Sequence, residues 1–200
     1  MKEITDKTKV LLLCAKAFET MEFSVFIDVI GWARETFGND VSVDTCGLNK
    51  EVISTFNVPI KVDVLIDEVD VSEYDALAIP GEFREFGFLE EAFHPKTQKI
   101  IREFNKQKKP IATICVAAFA LAESGILKGK RATVYHLDGG KTQRQLAEYG
   151  VIVENNPVVV DENIITSYCP QTAPKVAFTL LEMLIGKEKA DEVRVAMGYK

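Results

Sequence analysis

Short, wholly apolar runs alternate with longer stretches of helical periodicity, and this alternation constrains the fold more than any other property of the chain. Lys9–Cys14, Asp75–Ile79 and Pro110–Ile114 are apolar on both alternating faces. Strands read this way when helices cover both sides of a parallel sheet. Between them, Glu19 to Phe37 carries Phe23, Phe26, Ile27, Ile30 and Ala33 at helical spacing. Val41–Cys46 reads as a second strand, and a less regular segment follows with a hairpin or edge strands around Ile60–Ile66. Pro80-Gly81 stops the strand at Asp75–Ile79, and a helix over Pro95–Gln107 leads to the next. Arg131–Val134, Val151–Val153, Val158–Val160 and Asn163–Thr166 read as short strands. Thr142–Tyr149, Thr172–Ile185 and Glu188–Met197 read as helices. The expectation is an α/β three-layer sandwich with a mostly parallel central sheet, forming one domain over residues 1–200 without repeat or linker.

Cys115 falls at an abrupt change of pattern. It follows the strand-like run Pro110–Ile114 and precedes a small-residue helical run, Val116–Glu123. A strand turning directly into a helix lifts the residue at the bend out of the core and aims it at free backbone amides. A helix start favours negative charge, and the thiolate is the reactive form of cysteine. A plain core cysteine at a strand end is the competing reading.

Composition narrows the partners. The net charge is −6 over 200 residues, with acidic and basic residues interspersed and no basic stripe to neutralise phosphates, so nucleic acid is not the expected partner. The longest apolar stretch surrounds Cys115 and is too short for a bilayer, so no membrane is expected either. The four cysteines show no C-x-x-C spacing, and Met1–Thr8 is charged without an apolar signal core. A thiol-reducing, cytoplasmic setting is expected. With only His94 and His136 and no ligand-like spacing, neither zinc nor another cofactor is expected.

In open α/β sheets ligands bind beyond the carboxyl ends of the strands. Four segments should end there: Cys14-Ala15-Lys16 followed by Glu19 and Glu22, Pro80-Gly81-Glu82, Cys115, and Thr166–Pro170. A thiol, a carboxylate and exposed amides meeting in one cleft are the parts needed to attack a carbonyl carbon. Each part also has an ordinary reading. One of Glu19 and Glu22 is expected only to complement the helix dipole. Gly81 after proline is by default a turn. His136, past a strand end, is by default solvated, and His94, before Pro95 at a helix start, is not expected to have a site role. Cys14 and Cys46 read as core. Cys169 could resolve an oxidised Cys115, although a passive role is simpler.

Five segments in register carry a family resemblance: Ala15–Glu22, Ile79-Pro80-Gly81, Ala112–Cys115, Gly129–Thr133 and Val160–Ser167. Together the chain resembles the DJ-1/PfpI family, within the class I glutamine amidotransferase-like superfamily, which includes deglycases and PfpI-type intracellular proteases. The resemblance implies a flavodoxin-like sandwich, a homodimer and a nucleophilic cysteine on the elbow, here Cys115. It gives Glu22 the place of the glutamate that hydrogen-bonds the sulfur and Glu19 that of a nearby acid. Amides near Gly81 and Val116 would form an oxyanion pocket.

Departures from the family pattern accompany the matches. Val116 stands where protease-like members carry histidine, which removes their usual base. Gly81-Glu82 replaces Gly-Gly, so Glu82 is expected to strain the turn or to place a carboxylate at the cleft mouth. Tyr168-Cys169-Pro170-Gln171 replaces a glycine-rich loop, and Tyr168 is expected to narrow the pocket. The Cys115 and Glu22 pair is expected to titrate as a unit, the helix start lowering the thiol and an ionised carboxylate raising it. The leading expectation is a cofactor-independent cysteine enzyme on a small reactive carbonyl, of glyoxalase or deglycase type, with His136 as an added acid or base. The alternatives are a cysteine hydrolase or hydratase, weakened by the missing histidine, and a non-enzymatic redox sensor or chaperone in which Cys115 oxidation is the signal.

Overall fold

A computed structural model describes residues 7–82 and 86–199, and the charged start of the chain, residues 1–6, lies outside them. Seven strands form the main sheet in the order β10 (Val158–Asp161), β11 (Ile164–Ser167), β7 (Ile111–Thr113), β6 (Ala76–Ile79), β1 (Thr8–Leu13), β2 (Val41–Gly47) and β5 (Val64–Leu65). All neighbours are parallel except β10 and β11, which form an antiparallel hairpin at one edge. Two helix groups flank the sheet. One is α1 (Thr20–Phe37), α6 (Ala173–Ile185) and α7 (Lys187–Ala196). The other is α2 (Phe88–Ala92), α3 (Pro95–Lys106) and α4 (Ala118–Glu123). The architecture is the flavodoxin-like sandwich expected. The apolar strands explain it: Val10 to Leu13 and Ala76 to Ile79 are buried on both faces, as coverage by both helix layers requires.

Three sequence expectations shift. The irregular segment resolves into a separate hairpin, β3 (Glu51–Ile53) with β4 (Pro59–Lys61), beside the edge strand β5. Arg131–Val134 and Val151–Val153 shorten to β8 (Arg131–Ala132) and β9 (Ile152–Val153), which pair with each other outside the main sheet. On α1, Ile27 is exposed, and the buried stripe is Glu22, Val25, Phe26, Val29, Ile30 and Ala33. That stripe follows the i, i+3, i+4 spacing of a core-facing helix. A carboxyl therefore stands at the first turn of an otherwise apolar face. The helix stops at Gly38, whose φ of 63° and amide bonds to Ala33 and Arg34 carbonyls make a left-handed cap.

The chain runs from β1 outward to β2, then returns to β6 on the other side of β1. The loops leaving β1 and β6 therefore part at a switch point. Because β11, β7, β6 and β1 are consecutive in the sheet, their carboxyl ends form one row. Register sharpens this: Thr166, Thr113 and Ile79 are aligned partners across the first three.

Candidate active site

Each strand of that row delivers one group to a cavity of about 630 Å³. β1 hands over to α1 with Glu19 and Glu22, β6 to Gly81 and Glu82, β7 to Cys115, and β11 to Cys169. Tyr135, Asp138 and Lys141, from the loop before and the start of α5 (Lys141–Ala147), close the remaining side.

Cys115 is the elbow. Ile114 still has extended angles, Cys115 takes φ 56°, and a single 3-10 turn over Cys115–Ala117 feeds α4. A left-handed conformation at a non-glycine residue carries strain, which here turns the thiol toward the cavity. The residue is buried, so the change of direction does not place the sulfur in bulk solvent.

Glu22 is fully buried. Its Oε2 accepts the Gly81 amide at 2.7 Å, and its Oε1 has no partner. A buried ionised carboxylate with one hydrogen bond is costly. Burial raises this carboxyl to about 8 despite the Gly81 amide, and the neighbouring Glu19 adds to the rise. Glu22 is therefore mostly a carboxylic acid at neutral pH, with one oxygen anchored and the other free to donate.

Gly81 has a stricter role than a turn. A Cβ there would lie 2.4 Å from the Ile114 carbonyl oxygen and 3.0 Å from both Cys115 Cβ and Glu22 Oε2. The glycine is the gap through which strand end, nucleophile and acid pack together. Neither Gly81 nor Glu82 has a positive φ, so the expected strain at Glu82 is absent. The Gly81 amide is committed to Glu22, which leaves it unavailable as the expected oxyanion donor. Val116 lines the cavity, and its amide interacts with the Cys115 sulfur.

The thiol itself departs from expectation. Burial pushes Cys115 up, an ionised Glu22 pushes it further, and the Val116 amide only partly offsets them. The helix start does not win against desolvation here. Protonation of Glu22 removes its charge from this balance, which couples the two groups.

Glu19 lines the cavity, and its carboxyl is raised by burial and lowered by the Met21 amide at the helix start, consistent with the dipole role. Glu82 is buried at the cavity wall rather than exposed at its mouth. His136 and Tyr168 are placed differently from expectation. Neither is among the residues that line the cavity; their rings stack on each other with centroids 3.9 Å apart. Tyr168 therefore does not narrow the pocket, and His136 Nδ1 is buried without a partner. His94 accepts the Lys96 amide at the start of α3. Cys14 and Cys46 are core residues.

Sequence reasoning missed Tyr135, Asp138 and Lys141. The available signal was Asp138-Gly139-Gly140 with Thr142: Asp138 accepts from the Thr142 amide and hydroxyl at 3.0 and 2.6 Å, fixing the loop that carries all three.

Similarity to known proteins agrees with this geometry. The DJ-1/PfpI family matches residues 8–183. The chain belongs to the DJ-1/PfpI family. Protein DJ-1 homolog B of Arabidopsis thaliana is 32% identical over 186 residues, covering 90% of this chain and 39% of that protein. DJ-1alpha of Drosophila melanogaster is 33% identical over 190 residues, covering 94% of this chain and 82% of that protein. The crystal structure of Drosophila melanogaster DJ-1beta superposes with a TM-score of 0.84 at 28% identity, covering 98% of this chain and all of the other. The chain spans less than half the length of the Arabidopsis relatives it matches. Among the described residues, no helix of this family member is long and apolar enough to cross a membrane.

Proposed function

We propose that the chain is a cofactor-independent cysteine enzyme acting on small reactive carbonyls, of glyoxalase or deglycase type. The observation that carries this reading is that Cys115 and the buried Glu22, whose second oxygen is free among the described residues, pack against Gly81 in one cavity. Cys115 adds to an aldehyde carbon, the thiol proton passing to the carbonyl oxygen, and a hemithioacetal results. Glu22, in its ionised fraction, takes the hydrogen from that carbon and returns it to the neighbouring one. Water then cleaves the resulting thioester and frees the thiol. For methylglyoxal the product is lactate, and the only atoms added are those of one water. A carboxyl near 8 suits this duty, since both protonation states are populated at working pH.

Lactate production from methylglyoxal tests the reading. Cys115→Ala and Glu22→Ala should each abolish it, and turnover that survives either change would refute it. One observation favours a second reading, a thiol redox sensor: Cys169 lines the same cavity and raises Cys115 electrostatically. In that case peroxide would modify Cys115 and no carbonyl turnover would be found. The hydrolase alternative lacks an adjacent base, since Val116 follows the cysteine. A homodimer and a cytoplasmic location belong to the same proposal. Exposed Met21 and Trp32 on α1 are consistent with self-association, which sedimentation of the purified chain would measure.

A further inference from the structure

Cavity chemistry beyond Cys115 and Glu22 converges on one side chain. Glu82 is 3% exposed and lines the cavity. It follows directly on Gly81, the residue packed against both Cys115 and Glu22. Its Oε1 accepts the Phe88 amide at 3.1 Å, whereas Oε2 is buried with no partner among the described residues. A positive φ does not explain the residue, because Glu82 has none. Burying a carboxyl with one oxygen unused is costly unless a ligand uses it. His94 caps α3 and His136 stacks on Tyr168, and the carboxyls that line the cavity are Glu19, Glu22, Glu82 and Asp138.

We propose that Glu82 is a second catalytic acid, whose free Oε2 donates to the ketone oxygen of a neutral 1,2-dicarbonyl held on Cys115. This rests on the carbonyl reading above and deepens it. In the hemithioacetal, Glu22 takes the hydrogen from the sulfur-bearing carbon. The electron pair forms a carbon–carbon double bond, and the ketone oxygen takes a proton from Glu82. Glu22 then delivers its proton to the second carbon. Glu82, now a carboxylate, removes the proton from the other hydroxyl as the thioester carbonyl forms. Both acids are restored, and no oxidant or reductant is needed. Burial raises Glu82 to about 8 against the lowering effects of the Phe88 amide and Lys16, so a proton is available at neutral pH. The charged or titratable groups that share its cavity or act on it are Lys16 after β1, Glu19 at the start of α1 and Glu22 on it, Cys115 on the elbow, and Tyr135, Asp138, Lys141 and Cys169. Glu22 and Glu82, mostly neutral, supply no counter-charge for a buried substrate carboxylate, so a neutral substrate is favoured.

The test compares wild type with Glu82→Gln. Melting temperature and the Cys115 alkylation rate serve as controls for folding. For methylglyoxal, Glu82→Gln should lower kcat by about 100-fold. It should also remove the alkaline fall of the kcat profile near pH 8, because glutamine cannot titrate. A kcat within about threefold of wild type, or an unchanged alkaline limb, overturns the assignment. A second readout does not need turnover. In protein carrying carboxyl-labelled glutamate, the Glu82 carbon resonance is identified by its loss in Glu82→Gln, or by its loss in Glu82→Asp should the first variant not fold. Millimolar methylglyoxal should move that resonance. If it moves while wild type makes no lactate, the glyoxalase reading fails and the Glu82 contact stands. If it stays put, the proposal for Glu82 fails whatever the turnover.

Discussion

Glu22 holds the Gly81 amide with one carboxyl oxygen at 2.7 Å and leaves the other free, so the acid is oriented by the glycine that separates it from Cys115. The site is thus built around an absent side chain. Gly81→Ala would place a methyl 2.4 Å from the Ile114 carbonyl oxygen, on backbone that cannot yield cheaply. We expect a loss of about 2 kcal/mol in stability and disappearance of carbonyl turnover. Urea denaturation alongside a lactate assay checks both, and a stable, active alanine variant would contradict the packing described.

Stability should depend on pH through Glu22. Its carboxyl moves from an ordinary 4.5 to about 8 on folding. The folded state therefore binds the proton more tightly. The stabilisation is complete below about 4.5 and is lost progressively as pH climbs to 8. Glu22→Gln removes this dependence. The variant should match wild type near pH 5 and exceed it by about 4 kcal/mol near pH 9. Denaturant midpoints at the two pH values decide the matter, and a variant that is weaker at pH 9 would count against a buried neutral acid.

Alkylation of Cys115 should be slow at neutral pH and accelerate well into the alkaline range, since burial and an ionised Glu22 both oppose the thiolate. In Glu22→Gln the charge is gone, so the alkylation profile should move to lower pH. Movement to higher pH would mean that Glu22 chiefly stabilises the thiolate.

Backbone strain at the elbow yields a different signature. Cys115 has φ 56°, a region that glycine occupies without penalty. Cys115→Gly should consequently be about 1 kcal/mol more stable than Cys115→Ala, the reverse of the order inside a helix. Thermal melts of the two inactive variants measure it.

His136 offers a control on the boundaries of the site. Its ring stacks on Tyr168 and it does not line the cavity. His136→Ala should keep carbonyl turnover within about threefold of wild type, whereas a loss comparable to that expected for Glu22→Ala would return it to the proton path.

Much of this arrangement was legible in the residues. Apolar runs such as Leu11-Leu12-Leu13 announced doubly covered strands, and the break between Ile114 and Val116 announced the elbow. Glu22 could have been singled out by spacing alone, since it continues the buried stripe of Val25, Val29 and Ala33. Other features depend on long-range assembly. That Arg131–Val134 leaves the main sheet follows from its pairing with Ile152 and Val153, distant in sequence. The preference of His136 for Tyr168 over the cavity likewise requires two loops to meet. The thiol's raised pKa reflects burial by the whole fold, which outweighs the local helix start.

The four neighbouring strand ends carry a consequence for folding experiments. Their contributions come from positions 19–22, 81–82, 115 and 169, and no two of these segments adjoin in the chain. A partly folded intermediate that retains one strand pair would hold only a fragment of the constellation. Accessibility of the Cys115 sulfur, in a chain whose other three buried cysteines are replaced, should therefore report loss of the entire sheet, making that thiol an internal gauge of global unfolding.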